Sequence, residues 1–239
     1  MEKDARHLFT SDTHYDHGNI IKYSCRPFLS ENEKKMVQEN RHHRPSRDAV
    51  DFMNRTLKER FNEVARPQDV IWHLGDLAWN GKRSAAEFLN GLNCKNINFI
   101  WGNHDDWDTA DLIPRRLATP ECGIEQLVQP IYDQALIIVD GQKIHLSHYP
   151  NDSWEDAHKD GHRGAWHFYG HVHGNRNLRH VDNPAWAFSL DVGVDSHNFY
   201  PWTLEQIRKL FEKRKPAWDA WRAKMKDKED GGMKPVCQL

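Results

Sequence analysis

The residues of this chain that could do chemistry fall in five short clusters: Asp12-Thr13-His14, Gly75-Asp76, Gly102-Asn103-His104-Asp105, His148 and Gly170-His171-Val172-His173. Together they offer carboxylates, imidazoles and one amide oxygen. That mixture of nitrogen and oxygen donors suits Mn, Fe, Zn, Co or Ni better than calcium, whose sites are built from oxygen. Asp12 and His14, like His171 and His173, lie two residues apart, which in an extended strand turns both side chains to one side. Gly75, Gly102 and Gly170 stand where an apolar run turns, and a missing side chain there leaves room for ions and substrate. Singly, such fragments mean little in a chain with 16 His. All five in this order, each behind an apolar run, make a specific pattern.

Strands must carry these clusters. Residues 7–11, 69–74 (DVIWHL) and 97–101 (INFIW) are apolar runs that end at the first three clusters. Residues 135–139 and 143–147 flank Asp140-Gly141, a hairpin signal, and the second run ends at His148. Residues 166–169 lead to Gly170, and residues 186–192 read as one more strand. Ligands gather at strand ends in α/β sheets, where loops let distant side chains converge. Ser46 can cap a helix to about residue 65, with Val50, Met53, Leu57 and Phe61 at helical spacing and Pro67 as its stop. Residues 84–92 and 204–213 read as further helices.

The order, α/β first and β-rich afterwards, predicts a layered α/β domain with mixed sheets over residues 1–213. Residues 214–239 form a C-terminal helix and a tail frayed from Gly231 onward. A stripe of Trp218, Trp221 and Met225 on that helix is expected to dock on its own domain rather than on a partner. The charged run over residues 31–45 reads as a surface loop, with a lid over the site as the sharper alternative.

Composition narrows the class. The chain has 239 residues, 38% of them hydrophobic, and its mean hydropathy is −0.87. Its 10 Trp and 10 Phe bury much area per residue, so a sizeable core is still feasible. A formal charge of −2 leaves no basic footprint, so nucleic acid is not indicated as a partner by net charge, though a local basic groove could exist. Cys25, Cys94, Cys122 and Cys237 show no C-x-x-C spacing and read as reduced thiols. With no signal-peptide core or membrane span in the sequence, a cytoplasmic location is expected. The oligomeric state is not legible.

With these clusters, the opening SDTHYDHGNIIKY followed by RPF, and the later VGVDSHNFYPWTLEQI, the chain resembles the calcineurin-like metallophosphoesterases, in a branch of small bacterial and phage enzymes. The resemblance spans roughly residues 8–207. It implies a four-layer αββα sandwich with two mixed β-sheets and a centre of two divalent transition metal ions, manganese first among them. It implies Asp12, His14, Asp76 and His173 on one ion, and Asp76, Asn103, His148 and His171 on the other, with Asp76 bridging. His104 would face the leaving group, oriented by Asp105. Residues 31–45 depart from the branch by their length. The reaction implied is hydrolysis of a phosphate ester, with a phosphodiester of small or nucleotide type preferred. A DNA or RNA nuclease, a phosphomonoesterase and a non-catalytic module of the same fold are the alternatives.

Some side chains carry lesser expectations. Arg26 could clamp a phosphate bidentately, or be a plain surface arginine. Asp16 and His17 could support the site or touch substrate, or lie in a surface turn. Trp79, Trp107, Trp154 and Trp166 sit near the clusters in sequence. Rings at a rim could stack on a base, but packing is the commoner role.

Overall fold

The computed structural model describes residues 5–94, 96–105, 133–157, 159, 164–175, 180 and 183–227, with 127–131 and 228–230 as backbone. Trp107, Cys122, Cys237 and the tail from Gly231 lie outside the described residues. Two mixed sheets make the fold, a layered α/β sandwich as expected. Strands β1 (His7–Thr10), β2 (Val70–His73), β3 (Asn96–Ile100) and β4 (Leu127–Ile131) run parallel in the order β4-β3-β2-β1. A short antiparallel strand near the C-terminal end of the fold, β9 (Trp202–Thr203), closes the β1 edge. The second sheet holds β5 (Gln134–Val139), β6 (Gln142–Ser147), β7 (Trp166–Tyr169) and β8 (Ser189–Asp191) in sequence order. The β5–β6 pair is the expected hairpin, its turn made by Asp140 and Gly141 at φ 50° and 76°. The other pairs are parallel.

Alternation along the strands explains the layering. On β1, Leu8 faces one core and Phe9 the other; on β2 the same holds for Ile71 and Trp72. Leu8, Ile71, Ile97 and Phe99 pack under α3 (Arg47–Val64) and α4 (Lys82–Asn90), against Met53, Leu57, Phe61 and Phe88. Phe9, Trp72 and Ile100 turn the other way, onto Ile144, Leu146 and Phe168 of the second sheet. The Phe9 and Phe168 rings meet edge to face at 4.8 Å. Ser46 caps α3 as expected, its hydroxyl accepting from the Ala49 N–H.

The structure corrects four expectations. The strand predicted over residues 186–192 is shorter: a 3-10 turn at Pro184–Trp186 precedes β8. The two helices predicted on either side of residue 215 run as one, α5 (Leu204–Asp230), with Pro216 inside. Burial of Ile207, Phe211 and Trp218 against the inter-sheet core outweighs the hydrogen bond Pro216 cannot make. The docking of Trp218 on its own domain is as expected: it is buried, 5.6 Å from the Phe188 ring. Residues 31–45 are not all loop, since α2 (Glu31–Glu39) forms there with no buried residue. Its signal was in the sequence, a capping box in which Ser30 and Glu33 satisfy each other's backbone N–H groups. A one-turn helix, α1 (Ile20–Tyr23), was also not foreseen. No described helix is long and apolar enough to cross a membrane.

Candidate metal centre and its surroundings

Parallel pairing puts the C-terminal ends of β1, β2 and β3 at one edge, and those of β6, β7 and β8 at the matching edge of the second sheet. A bridge between Ser11 and Gly193 joins the two sheets there. Every cluster singled out in the sequence therefore opens into one place. His14 Nε2 lies 3.3 Å and His148 Nε2 3.6 Å from the same oxygen, Asp76 Oδ2. Asn103 Oδ1 is 3.0 Å from His148 Nε2 and 2.8 Å from His171 Nδ1. Asp12, His14 and His173 bring ligand atoms within 4.8 Å of one another, and so do Asp12, Asp76 and His148.

The backbone reaches this arrangement by a route the sequence did not suggest. Asp12, His14, Asp76, His171 and His173 all have φ between 45° and 69°. They are left-handed turn residues, not strand residues, so the two-residue spacing converges through turns rather than through extended alternation. Each such residue without glycine's freedom costs roughly 1–3 kcal/mol, which the surrounding fold must overcome. Close approach also requires glycine at two positions: a Cβ on Gly102 would fall 2.2 Å from Asp76 Oδ1, and one on Gly170 2.4 Å from Asp12 Oδ2.

Burial and neighbouring charge set the protonation of the cluster. Burial, then the charges of Asp191 and Asp76, push the Asp12 carboxyl well above the usual range. Asp76 goes the other way: burial alone would raise it, but His14 and His148 hold it below. Burial lowers His14 to about 4, so its imidazole is neutral and its nitrogen lone pair is free to bind. Burial, then Asp76, raises Asp105 to about 7.

Residues 42–186 match the calcineurin-like phosphoesterase superfamily domain. The chain belongs to the calcineurin-like phosphoesterase superfamily. An uncharacterized protein of Methanocaldococcus jannaschii is 32% identical over 212 residues, which is 86% of this chain and 90% of that one. A protein of unknown function from Aquifex aeolicus shares the fold, with a TM-score of 0.55 and 22% identity over 87% of this chain and 100% of that one.

The phosphoesterase superfamily is metal-dependent in general, and the residues here fit divalent transition metals. The donors are imidazole nitrogens, carboxylates and an amide oxygen. His14 Nε2 is buried and faces Asp76 Oδ2 at 3.3 Å without hydrogen-bond geometry, as a nitrogen sharing an ion with that carboxylate would. His173 and His148 each use their other ring nitrogen on the protein, which fixes the ring: His173 Nδ1 meets Asp195 Oδ2 at 2.7 Å, and His148 Nδ1 meets the Leu74 carbonyl at 2.7 Å.

The groups that support the cluster differ from the expected ones. Arg26 does not offer its guanidinium to a phosphate. It is buried, forked onto both carboxylate oxygens of Asp195 at 2.8 and 2.9 Å, and donates to the Asp12 and Thr13 carbonyls. The chain Arg26–Asp195–His173 thus runs from the core to the cluster, and Arg26 with His173 carries Asp195 down to about 2 against the effect of burial. Asp105 does not hydrogen-bond the His104 ring. Its carboxylate accepts from the backbone N–H groups of Gly102, Asp76 and Leu77 at 2.7, 2.7 and 2.9 Å, stapling the loop after β3 to the loop after β2. His104 is exposed, and its own N–H is held by Asp76 Oδ1 at 2.9 Å. Asp16 is an anchor rather than a surface turn, taking hydrogen bonds from Arg47, Asn80 and Ser84. His17 is buried beside the cluster, its Nδ1 3.4 Å from that of His14. Trp154 and Trp166 are packing residues: Trp154 donates to the Ala165 carbonyl and Trp166 packs on Phe211.

Sequence reasoning missed Asp191 and Asp195. Asp191 accepts from the Gly174 and Gly193 N–H groups and so shapes the turns beside Asp12. Both lie in or next to the VGVDSHNFYPW stretch, whose position after a predicted strand was the available signal.

Proposed function

We propose that this chain hydrolyses phosphate esters at a centre of two divalent ions, with phosphodiesters of small or nucleotide type as its preferred substrates. The observation that carries the proposal is Asp76 Oδ2, set between His14 on one side and His148 on the other. Asp12, His14, Asp76 and His173 would hold one ion, and Asp76, Asn103, His148 and His171 the second. When bound, such a pair supplies Lewis-acid neutralisation of phosphoryl charge and lowers the pKa of water at the site.

The protein's own part is positioning and proton handling. Arg26 and Asp195 fix the His173 ring, and the Asp105 carboxylate fixes the loop that bears Asn103 and His104. His104 projects into the cavity beside His14 and Trp79, their rings 5.3 and 5.2 Å away. From there it is suited to give a proton to the departing oxygen. No described residue of α2 lines that cavity, so the lid reading gains no support.

The test is hydrolysis of bis(4-nitrophenyl) phosphate against 4-nitrophenyl phosphate in manganese, with a chelator control. Faster, chelator-sensitive cleavage of the diester is the expected result. Preference for the monoester would make the protein a phosphomonoesterase, and no cleavage in any metal that binds would move the non-catalytic module to the front.

A further inference from the structure

The cavity beside the cluster has about 310 Å³ and is walled largely by rings: His14, His17, Tyr23, Trp79, His104 and His173. That volume sits at the lower end of small-ligand pockets, roughly 300–1,000 Å³. Trp79 is the unusual member. Its indole is stacked on His17 at 3.8 Å and 7°, and its backbone N–H donates to the Tyr15 carbonyl at 2.9 Å, which anchors the residue beneath the ring. The ring is thus fixed in place, yet it is 46% exposed. With one face on His17, the open surface is the other face and the rim. Tyr23, 71% exposed, lines the same cavity, its ring 6.5 Å from that of His17. Among the described residues, no packing accounts for two large rings left open at one cavity. A rigid ring pays little entropy on binding, which is how stacking platforms gain affinity for flat ligands.

We infer that this cavity is a base subsite, in which Trp79 stacks on the base of a nucleotide whose phosphate lies at the cluster. The His104 ring stands next to both His14 and Trp79, at 5.3 and 5.2 Å, so the indole and the cluster open onto one cavity that a single small ligand can share. Asn19, Ser24 and Asn175 line the same cavity, and the side-chain amides of Asn19 and Asn175 hydrogen-bond no described residue. They are placed to meet the edge of a base. The inference rests on the phosphoesterase reading only for the position of the phosphate.

Binding tests it without turnover. The manganese-loaded full-length protein is titrated with adenosine 5′-monophosphate and with ribose 5-phosphate, which lacks the base. Stacking on an aromatic ring predicts about 5- to 150-fold tighter binding of the nucleotide. Trp79→Ala should bring that ratio close to one, and Trp79→Phe should keep most of it. Trp79→Leu, which fills the space on His17 without a π face, should lose it as well and covers the case of a misfolded alanine variant. A wild-type ratio near one, or a ratio that survives in the alanine and leucine variants, overturns the inference. An intact ratio in a protein that hydrolyses no ester keeps the subsite and removes the proposed activity instead. Extending the ligand to four nucleotides separates the sources: a plateau at one unit supports a free nucleotide, and a continued, salt-sensitive rise supports a single strand.

Discussion

The two halves of the cluster are built differently. The half formed by Asp12, His14 and His173 is backed by charge: Asp195 holds His173 and is itself held by the buried Arg26. The half formed by Asn103, His148 and His171 is backed by neutral groups: the Leu74 carbonyl holds His148, and Asn103 lies between the two imidazoles. Burial follows the division in part, with His148 buried in the second half and His173 half-buried in the first. Asp12 and His14 are buried, whereas Asn103 and His171 are exposed. A carboxylate behind a ligating imidazole raises its basicity and fixes its tautomer, and a carbonyl does so less strongly. With the two ions proposed above, the first half is therefore expected to hold its ion more tightly, and the second to exchange its ion with solvent more readily.

The largest test of this contrast removes what the halves share. Asp76→Ala should release ions from both and lower turnover by about 1,000-fold or more, with metal content read by atomic emission. Loss of only one ion would mean that the halves do not meet at Asp76. His104 belongs to neither half, so His104→Ala should keep both ions and still lose about 100- to 10,000-fold in kcat. Normal turnover at full metal content would take His104 out of the chemistry.

Asp195→Asn separates the halves. It should weaken one ion by about 10- to 100-fold and leave the other near its wild-type affinity, as metal titration would resolve. Equal weakening of both would erase the distinction. His171→Ala is the mirror experiment, expected to reduce the metal content to one ion per chain.

The smallest effect lies away from both halves. At the opposite end of β1 and β2, the buried Asp69 accepts from Arg6 and Arg66. Burial would raise its carboxyl, but these two arginines hold it well below the usual range. A carboxyl depressed in the folded state contributes stability that is complete above the unfolded value of about 3.9 and drains away as pH falls toward the folded one. Asp69→Asn should cost about 2 kcal/mol at neutral pH and flatten the acid limb of a denaturation series. Metal affinity in either half should not move.

The elements most legible in the sequence were those with a local cause. The cap at Ser46, the turn at Asp140-Gly141 and the apolar runs at residues 69–74 and 166–169 each carry their physics within a few residues. So does the Ser30–Glu33 capping box, which opens a helix inside a run whose charge alone reads as loop. The break predicted near Pro216 failed because a core contact from Phe188 overrode a local rule.

The sequence by itself determined the donors of the site. Carboxylate, imidazole and amide sit behind apolar runs in fixed order, and covalent order places each at a strand end. Only the tertiary structure decided what stands behind those donors. Arg26 and Asp195 are 169 residues apart, and Asp105 reaches back 29 residues to the Asp76 N–H. No spacing rule spans such distances. Their partners are chosen by how two sheets meet at Ser11 and Gly193, and that meeting is fixed by the packing of both cores.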